Sequence, residues 1–410
     1  MLTKRIKKNI KKLKIANFFN AYIKCYQDKR QYKNIVTKYS HRRQKYTFEE
    51  LLIQKGFTKR WVKNLQNRRL NIYFSGTSEP QDKSGFIQAL EKFGNLSYFV
   101  KYDGGYGRYS GDILYNGIKG RVLNTNKIIE DIQNLINSNN KPDFVLMQAM
   151  GKSYEIDRLK QFKEESGLKF INYTLDDRFA YYLKTPKNEK YNYGIHGIQT
   201  LIDFSLVSNP EVTEWHLKED IPAVYFPMAS SLDIYFPIKC EKKYDVGFIG
   251  HKYGYREELV NALIKAGINV ETRGSGWPSG IIKFEDNNIF FNECRIVLGI
   301  GTIGHCKDFY NQKLRDFEAT LSGSVYVTHN NKDLKELFVE NEELILCNNI
   351  DEYISSIKEI LGDEVRLINI SQRAHKRSSK DHTYELRFHE LFKLLGIIDT
   401  TKDDSYSAIL

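Results

Sequence analysis

Lys313, Arg315 and Glu318 stand within NQKLRDFEATLSG (311–323), just ahead of the strand-like run SVYVT, at a spacing that suits a grip on a nucleotide. On the first turns of a helix, free N–H groups and the positive dipole end attract an anion, and two cations reinforce that pull. Glu318 lies one turn further in, where its carboxylate can accept two hydrogen bonds from a vicinal diol such as a ribose. Lys-x-Arg-x-x-Glu therefore reads as a diphosphate grip beside a ribose grip. Arg315 and Glu318 are also at i, i+3, which suits a plain ion pair on a solvated face. On spacing alone the ion pair is the simpler of the two.

Other stretches carry chemistry-bearing types. Asp176 and Asp177 follow the strand-like run LKFINYT (168–174), at the edge where open α/β sheets bind ligands. A carboxylate there can take the proton of an attacking hydroxyl. It can also cap a loop or form half of a metal-binding pair. His196, within YNYGIHGIQ, is a competing base, and Glu79, after Gly76 in FSGTSEP, a weaker one. GIGTIG (299–304), which contains Gly301, matches G-x-G-x-x-G, the dinucleotide fingerprint. HCKDFY follows it in place of an immediate helix, and it sits late in its sheet, so a nicotinamide site is the lesser expectation. The same glycines can let a donor diphosphate approach the backbone. No Ser/His/Asp triad, Cys/His pair or P-loop is apparent, which makes protease, lipase and P-loop readings poor.

The elements that must position these residues begin at Leu70. Strand-like runs fall at 70–75, 97–101, 143–148, 168–174, 203–208 and 223–227, with helical patterns at 86–93, 127–136, 154–165 and 211–218 between them. A second series has strands at 244–250, 268–272, 295–301, 324–328 and 343–347, and helices at 255–265, 313–321, 332–338 and 351–361. Such alternation predicts two α/β units built on mostly parallel sheets, with a ligand cleft between their carboxyl ends. The expected divisions are a basic helical arm at 1–69, an N-terminal domain at 70–238, a C-terminal domain at 239–398 and a loose tail at 399–410.

Charge separates the arm from the body. Residues 1–69 hold 21 Lys/Arg against 3 acids, a net of +18, and the remaining 341 residues hold 41 against 48, a net of −7. A fold dedicated to nucleic acid would be basic throughout, so none is expected as a partner. Residues 1–30 repeat apolar positions at helical steps between lysines, the pattern of a basic amphipathic helix that could lie on an anionic membrane surface, stay solvated or pack on a partner, or bind a polyanion. No apolar run is long enough to span a bilayer. Five scattered cysteines, never in a C-x-x-C pair, predict reduced thiols, a cytoplasmic setting and no zinc site.

Three runs, KLRDFEATLSGSVYVT, LKELFVENEELILCNNIDEYISSI and ISQRAHKRSSKDHTYELRFHELFKLL, resemble the C-terminal donor domain of GT-B glycosyltransferases. They are most similar to the spore-maturation-protein-like branch of the glycosyl transferases group 1 superfamily. Arg315, Phe317, Glu318, Ala319, Gly323, His382, Thr383, Tyr384 and Arg387 carry the resemblance, and YDVGFIGHKYGYREELVNALIKAGINVETRGSGW matches the opening of the same domain. The likeness spans about residues 165–396 and does not reach 1–69.

The resemblance implies two Rossmann-like domains facing a cleft and a nucleotide-sugar donor in the C-terminal one. Glu318 would hold the ribose, with Lys313 and Arg315 near the diphosphate. Gly250, Arg256, Gly274, Trp277 and Gly301 would line the donor site, although Trp277 in its Gly-rich turn could equally be packing. No cofactor and no metal is implied, since this fold neutralises the leaving diphosphate with cations and helix ends. The acceptor would be a glycan, a lipid-linked sugar or a protein, in bacterial surface polysaccharide, glycolipid or glycoprotein synthesis. From the cysteines and the basic arm, and not from the resemblance, the enzyme is expected in the cytoplasm, peripheral at the inner face of the membrane. Asp177, Asp176 and His196 are the candidate catalytic groups. One departure is plain: retaining relatives carry a second glutamate eight positions before the ribose glutamate, and that position is Tyr310 here. Stereochemistry is therefore not inherited. An NAD-dependent oxidoreductase and a non-catalytic assembly protein on a transferase fold are the alternatives.

Overall fold

The apolar strand runs fold into two separate parallel sheets, each in its own compact unit. The computed structural model describes residues 4–66, 68–303 and 306–398, and the side chains from Tyr22 onward. The expected tail at 399–410, and the apolar stripe of the arm before Tyr22, lie outside the described residues. The first unit combines the segment ending at Arg42 with Ile238–Asn311 and Ser324–Ala374. The second combines Arg43–Pro237, Gln312–Gly323 and the segment from His375. This division differs from the contiguous one expected from sequence. The arm separates after Arg42, and the Lys313–Glu318 segment and the last helix group with the second unit.

The sheet of the second unit has strands β1 (Leu70–Ser75), β2 (Gly94–Tyr98), β5 (Phe144–Met147), β6 (Lys169–Thr174), β7 (Phe204–Val207) and β8 (Ala223–Tyr225); a small hairpin supplies β3 (Leu114–Tyr115) and β4 (Ile118–Lys119). The order is β2-β1-β5-β6-β7-β8, parallel throughout. Successive side chains of a strand point to opposite faces. Phe74, Phe144 and Leu146 thus join one core with Phe86, Phe226 and Phe388, while Tyr73, Val145 and Met147 join the other with Ile128, Ile132 and Phe162. Burial on both faces explains why these strands read as near-continuous apolar runs. The chain runs from β1 outward to β2 and then returns to β5 on the other side of β1. That reversal opens a crevice beyond the carboxyl ends of β1 and β5.

Helix Tyr384–Leu394 lies against helix Phe86–Phe93, with Phe388 edge-on to Phe86 and Phe392 edge-on to Phe93, each pair of ring centroids 5.1 Å apart. Thr383 caps that helix by accepting the Leu386 N–H at 3.3 Å. The buried Arg387 guanidinium lies 3.0 Å from His382 Nδ1 and donates to the Asp381 carbonyl at 3.0 Å. The His-Thr-Tyr…Arg run is thus a structural fastener in this unit.

The first unit has β9 (Tyr244–Ile249), β10 (Val270–Arg273), β11 (Cys294–Leu298), β12 (Val325–His329) and β13 (Ile345–Cys347), in the parallel order β10-β9-β11-β12-β13. Its core gathers Val246, Phe248, Leu259, Leu263, Ile296, Leu298, Val327 and Ile357. The helix foreseen in the arm runs from Lys4 to Ser40. Its second half is docked within the first unit: Tyr32 lies 4.9 Å from Phe309, Lys29 pairs with Asp308, and Cys25 forms a disulfide with Cys306. That bond corrects the expectation of five free thiols. The partners are 281 residues apart, so no local spacing announces them. Cys240, Cys294 and Cys347 are free. Among the described residues, no helix is long and apolar enough to cross a membrane.

Candidate active site

A pocket of about 180 Å³ occupies the crevice at the β1–β5 reversal, lined by Thr77, Gln81, Arg108, Gln148, Met150, Asp176 and their neighbours. Each lining segment leaves the carboxyl end of a strand: Thr77 follows β1, Gln148 and Met150 follow β5, and Asp176 follows β6. Gly76 makes the turn possible, because a Cβ there would collide with the carboxylate of Asp82. Asp82 is fully buried and organises this wall. It accepts from the Thr77 N–H at 2.9 Å, Gln148 Nε2 at 2.8 Å and Tyr106 OH at 3.0 Å. Burial raises its pKa, and those donors pull it back.

Asp176 sits at the mouth with φ of 53°, a left-handed conformation uncommon outside glycine but tolerated by aspartate. Strain of this kind concentrates at functional sites. Its side chain is half exposed, and Lys313 Nζ donates to Oδ1 at 2.7 Å. The structure thus brings together a residue of the expected donor motif and one of the expected bases.

The helix carrying Glu318 starts later than expected, spanning Arg315–Leu321. Asp316 turns back so that its carboxylate accepts the Lys313 N–H at 2.7 Å. An internal carboxylate therefore holds one of the N–H groups expected to serve an anion, which leaves the cationic side chains to do so. Glu318 faces Ser84, whose Oγ donates to Oε1 at 2.5 Å. Burial raises the Glu318 pKa, against hydrogen bonding from Ser84 and the charge of Arg315. The charge of Arg315 acts on Glu318, and both residues are half-buried, not on the solvated face that the ion-pair reading assumed.

The remaining catalytic candidates lie elsewhere. Asp177 is fully buried, and Oδ2 accepts both the N–H and the Oγ–H of Ser208 at 2.9 Å. It ties the β6 loop to the β7 loop and does not line the pocket, contrary to its expected role as base. The physical reason is the sharp turn at Asp176, which sends the next side chain inward. His196 stacks on Tyr182 at 4.5 Å, with Glu219 at 3.8 Å, and only its neighbour Ile195 lines the pocket. Glu79 pairs with Lys83 at 2.6 Å on the surface.

Burial pushes the Asp177 pKa up from 3.8 to about 6. The protonated form is therefore favoured in the folded chain. Its stabilising contribution is full below about pH 4 and lost as pH rises through about 6, roughly 3 kcal/mol for a shift of this size. Asp177→Asn stays neutral, so it should remove this pH 4–6 slope from denaturant-unfolding free energies. A slope unchanged in the variant would show that another group sets it.

In the first unit, Gly250 and Gly274 touch. A Cβ on Gly274 (φ 127°) would collide with the Gly250 carbonyl, and Trp277 Nε1 donates to the same oxygen at 2.8 Å. Trp277 is buried in the core against Phe248, so the structure selects its packing role over the expected lining of a donor pocket. Arg256 is also buried; its guanidinium lies 4.4 Å from the Tyr253 ring centroid and donates to the His251 carbonyl at 3.1 Å. Gly301 opens a hairpin: Asn311 N–H donates to its carbonyl at 3.1 Å, and Thr302 bridges Tyr310 antiparallel. Among the described residues, 301–303 thus pair antiparallel with 309–311 and do not open a helix, the geometry a dinucleotide fingerprint needs. Tyr310, where retaining relatives have glutamate, lies 4.8 Å from the ring of His329. Among the described residues, no group of three His, Cys, Asp or Glu side chains could hold a metal ion.

Sequence reasoning missed Arg108, Asp82, Gln81 and Gln148. They lie in loops without a motif, and only the sheet topology assembles them.

Residues 256–393 match a family model described as glycosyl transferase-like. No curated protein matches the chain. Among solved structures, sucrose-phosphate synthase from Thermosynechococcus elongatus is similar over 80% of this chain and 99% of its own, at 11% identity and a TM-score of 0.57. A glycosyltransferase from Rickettsia africae covers 80% of this chain and 98% of its own at 11% identity and 0.53. Anabaena HepE, solved with UDP and glucose, covers 80% and 99% at 10% identity and 0.52. The fold is that of the GT-B glycosyltransferases.

Proposed function

We propose that the chain transfers a sugar from a nucleotide-sugar donor to a hydroxyl acceptor, with Asp176 as base and Glu318 on the donor ribose. The observation that carries the proposal is the Lys313–Asp176 pair at the mouth of the pocket. It sets a candidate base beside a cation from the segment matched to the glycosyl transferase-like family.

The chemistry follows from the charges. The acceptor oxygen attacks the anomeric carbon as its proton passes to Asp176. The bond from that carbon to the diphosphate oxygen breaks, and the electron pair leaves with the diphosphate. Protonating Asp176 cancels the charge that holds Lys313. The ammonium is then free to stabilise the departing oxygen, together with Arg315. A single displacement of this kind inverts the anomeric centre and needs no second glutamate at position 310. Acceptors in bacterial surface polysaccharide, glycolipid or glycoprotein synthesis, and a place in the spore-maturation-protein-like branch, rest on the sequence motifs.

HepE was solved with UDP, so UDP heads the test panel, followed by GDP, ADP, their sugars and NAD. A ligand at a hundredfold excess over its Kd adds about 2.7 kcal/mol, enough to raise Tm by several degrees. A rise with one nucleoside diphosphate and none with NAD is expected. A rise with NAD alone would overturn the proposal, and no rise with any nucleotide would favour an assembly role on the same fold.

A further inference from the structure

Arg108 is the one charged wall of the pocket that the transfer chemistry does not use. Its loop is fastened to the β1 turn: the Arg108 N–H donates to the Gly76 carbonyl at 3.1 Å, and the Gly107 N–H donates to the Phe99 carbonyl at 3.1 Å. Gly107 sits at φ of 72°, and a Cβ there would also stand 3.0 Å from the Thr77 carbonyl, so glycine suits the position twice over. Arg108 Nε then donates to the Gln148 carbonyl at 2.9 Å, which fixes the plane of the guanidinium.

Among the described residues, neither Nη of Arg108 has a hydrogen bond or an ion pair. The surrounding carboxylates are all engaged. Asp82 is held by Thr77, Gln148 and Tyr106; Asp112 by Ser110 and Lys152; Asp176 by Lys313. Burial pulls the Arg108 pKa below the usual arginine range, and the charges of Asp82 and Asp112 offset that only in part. Arg108 is partly buried with its Nη groups free to meet the pocket, so a ligand anion there would offset its desolvation directly. The two Nη groups form a planar fork matched to the paired oxygens of a carboxylate or phosphate. At about 180 Å³ the pocket is smaller than the roughly 300 Å³ at which sites for drug-sized ligands begin, so it suits one charged sugar ring and not a nucleotide. Thr77, Gln81 and Asp176 supply a rim for hydroxyls.

We propose that this pocket holds the anionic group of the acceptor, a phosphate or a sugar carboxylate, on the Arg108 fork. The assignment to the acceptor rests on the transferase proposal; the anion site itself does not.

The full chain is titrated calorimetrically with glucose 1-phosphate, glucuronate, glucose and UDP, as wild type, Arg108→Gln and Arg108→Lys. At least one anionic sugar should bind ten times more tightly than glucose, and which one binds tells phosphate from carboxylate. Arg108→Gln should erase that preference and Arg108→Lys should retain part of it, with UDP affinity unchanged in both. Equal binding of charged and neutral sugars, or a glutamine variant that binds like wild type, overturns the proposal. Loss of UDP affinity in step with the anionic sugars would assign Arg108 to the donor and overturn it too. An Arg108-dependent preference for the charged sugar in a wild-type chain that ignores UDP would keep the anion site and sink the transferase proposal instead.

Discussion

Asp176→Asn is expected to lower sugar transfer by roughly 10²–10⁴-fold, the range for loss of a general base, with nucleotide affinity unchanged. The substitution isolates proton acceptance. Asparagine tolerates the left-handed backbone that Asp176 occupies at φ of 53°, so the turn after β6 survives. The amide keeps an oxygen for Lys313 Nζ but cannot take a proton near neutral pH. The side chain of Asp176 is 50% exposed, and an ion pair of that exposure contributes no more than about 1 kcal/mol, so folding is not at risk. Steady-state rates with the donor found by the screen would show the loss in kcat with little change in KM. A variant retaining more than a tenth of the wild-type rate would move the base elsewhere.

The second large effect concerns the donor. Glu318→Ala should weaken nucleotide-diphosphate binding roughly 10- to 100-fold, because a hydrogen bond to a charged acceptor contributes about 1.5–3 kcal/mol. In the free chain Ser84 Oγ donates to Glu318 Oε1 at 2.5 Å, a hydroxyl in the place proposed for a ribose hydroxyl. Ser84→Ala removes that competitor, so it should leave donor affinity equal or tighter. The pair of variants separates a ribose grip from a structural bond: if Ser84→Ala and Glu318→Ala weaken binding alike, the Glu318–Ser84 contact itself is what matters.

The sheets were largely legible in the sequence because a strand buried on both faces is a continuous apolar run, as in FVLM (144–147) and FSLV (204–207). β2 was misplaced by about three residues, since GNLSY carries little apolar signal and its pairing with β1 sets its position. The helices of 86–93 and 255–265 were bounded correctly by their periodicity. The site was legible only in part. Lys313 and Glu318 were visible through a motif, and Asp176 through its place after a strand. Choosing Asp176 over Asp177 needed the φ of one residue, which decides the side chain that meets solvent and the one that meets Ser208. Arg108 was invisible because its meaning depends on Gly76 and Gln148, which topology and not sequence proximity sets beside it. The Cys25–Cys306 bond was hidden for the same reason.

Titration calorimetry of UDP, or of whichever nucleoside diphosphate stabilises the chain most, into wild type and Glu318→Ala tests the central claim most directly. Saturable one-to-one binding by the wild type, weakened at least tenfold in a variant that unfolds at the same temperature, is the predicted result. Equal affinity in the two proteins, or no binding in either, would contradict it.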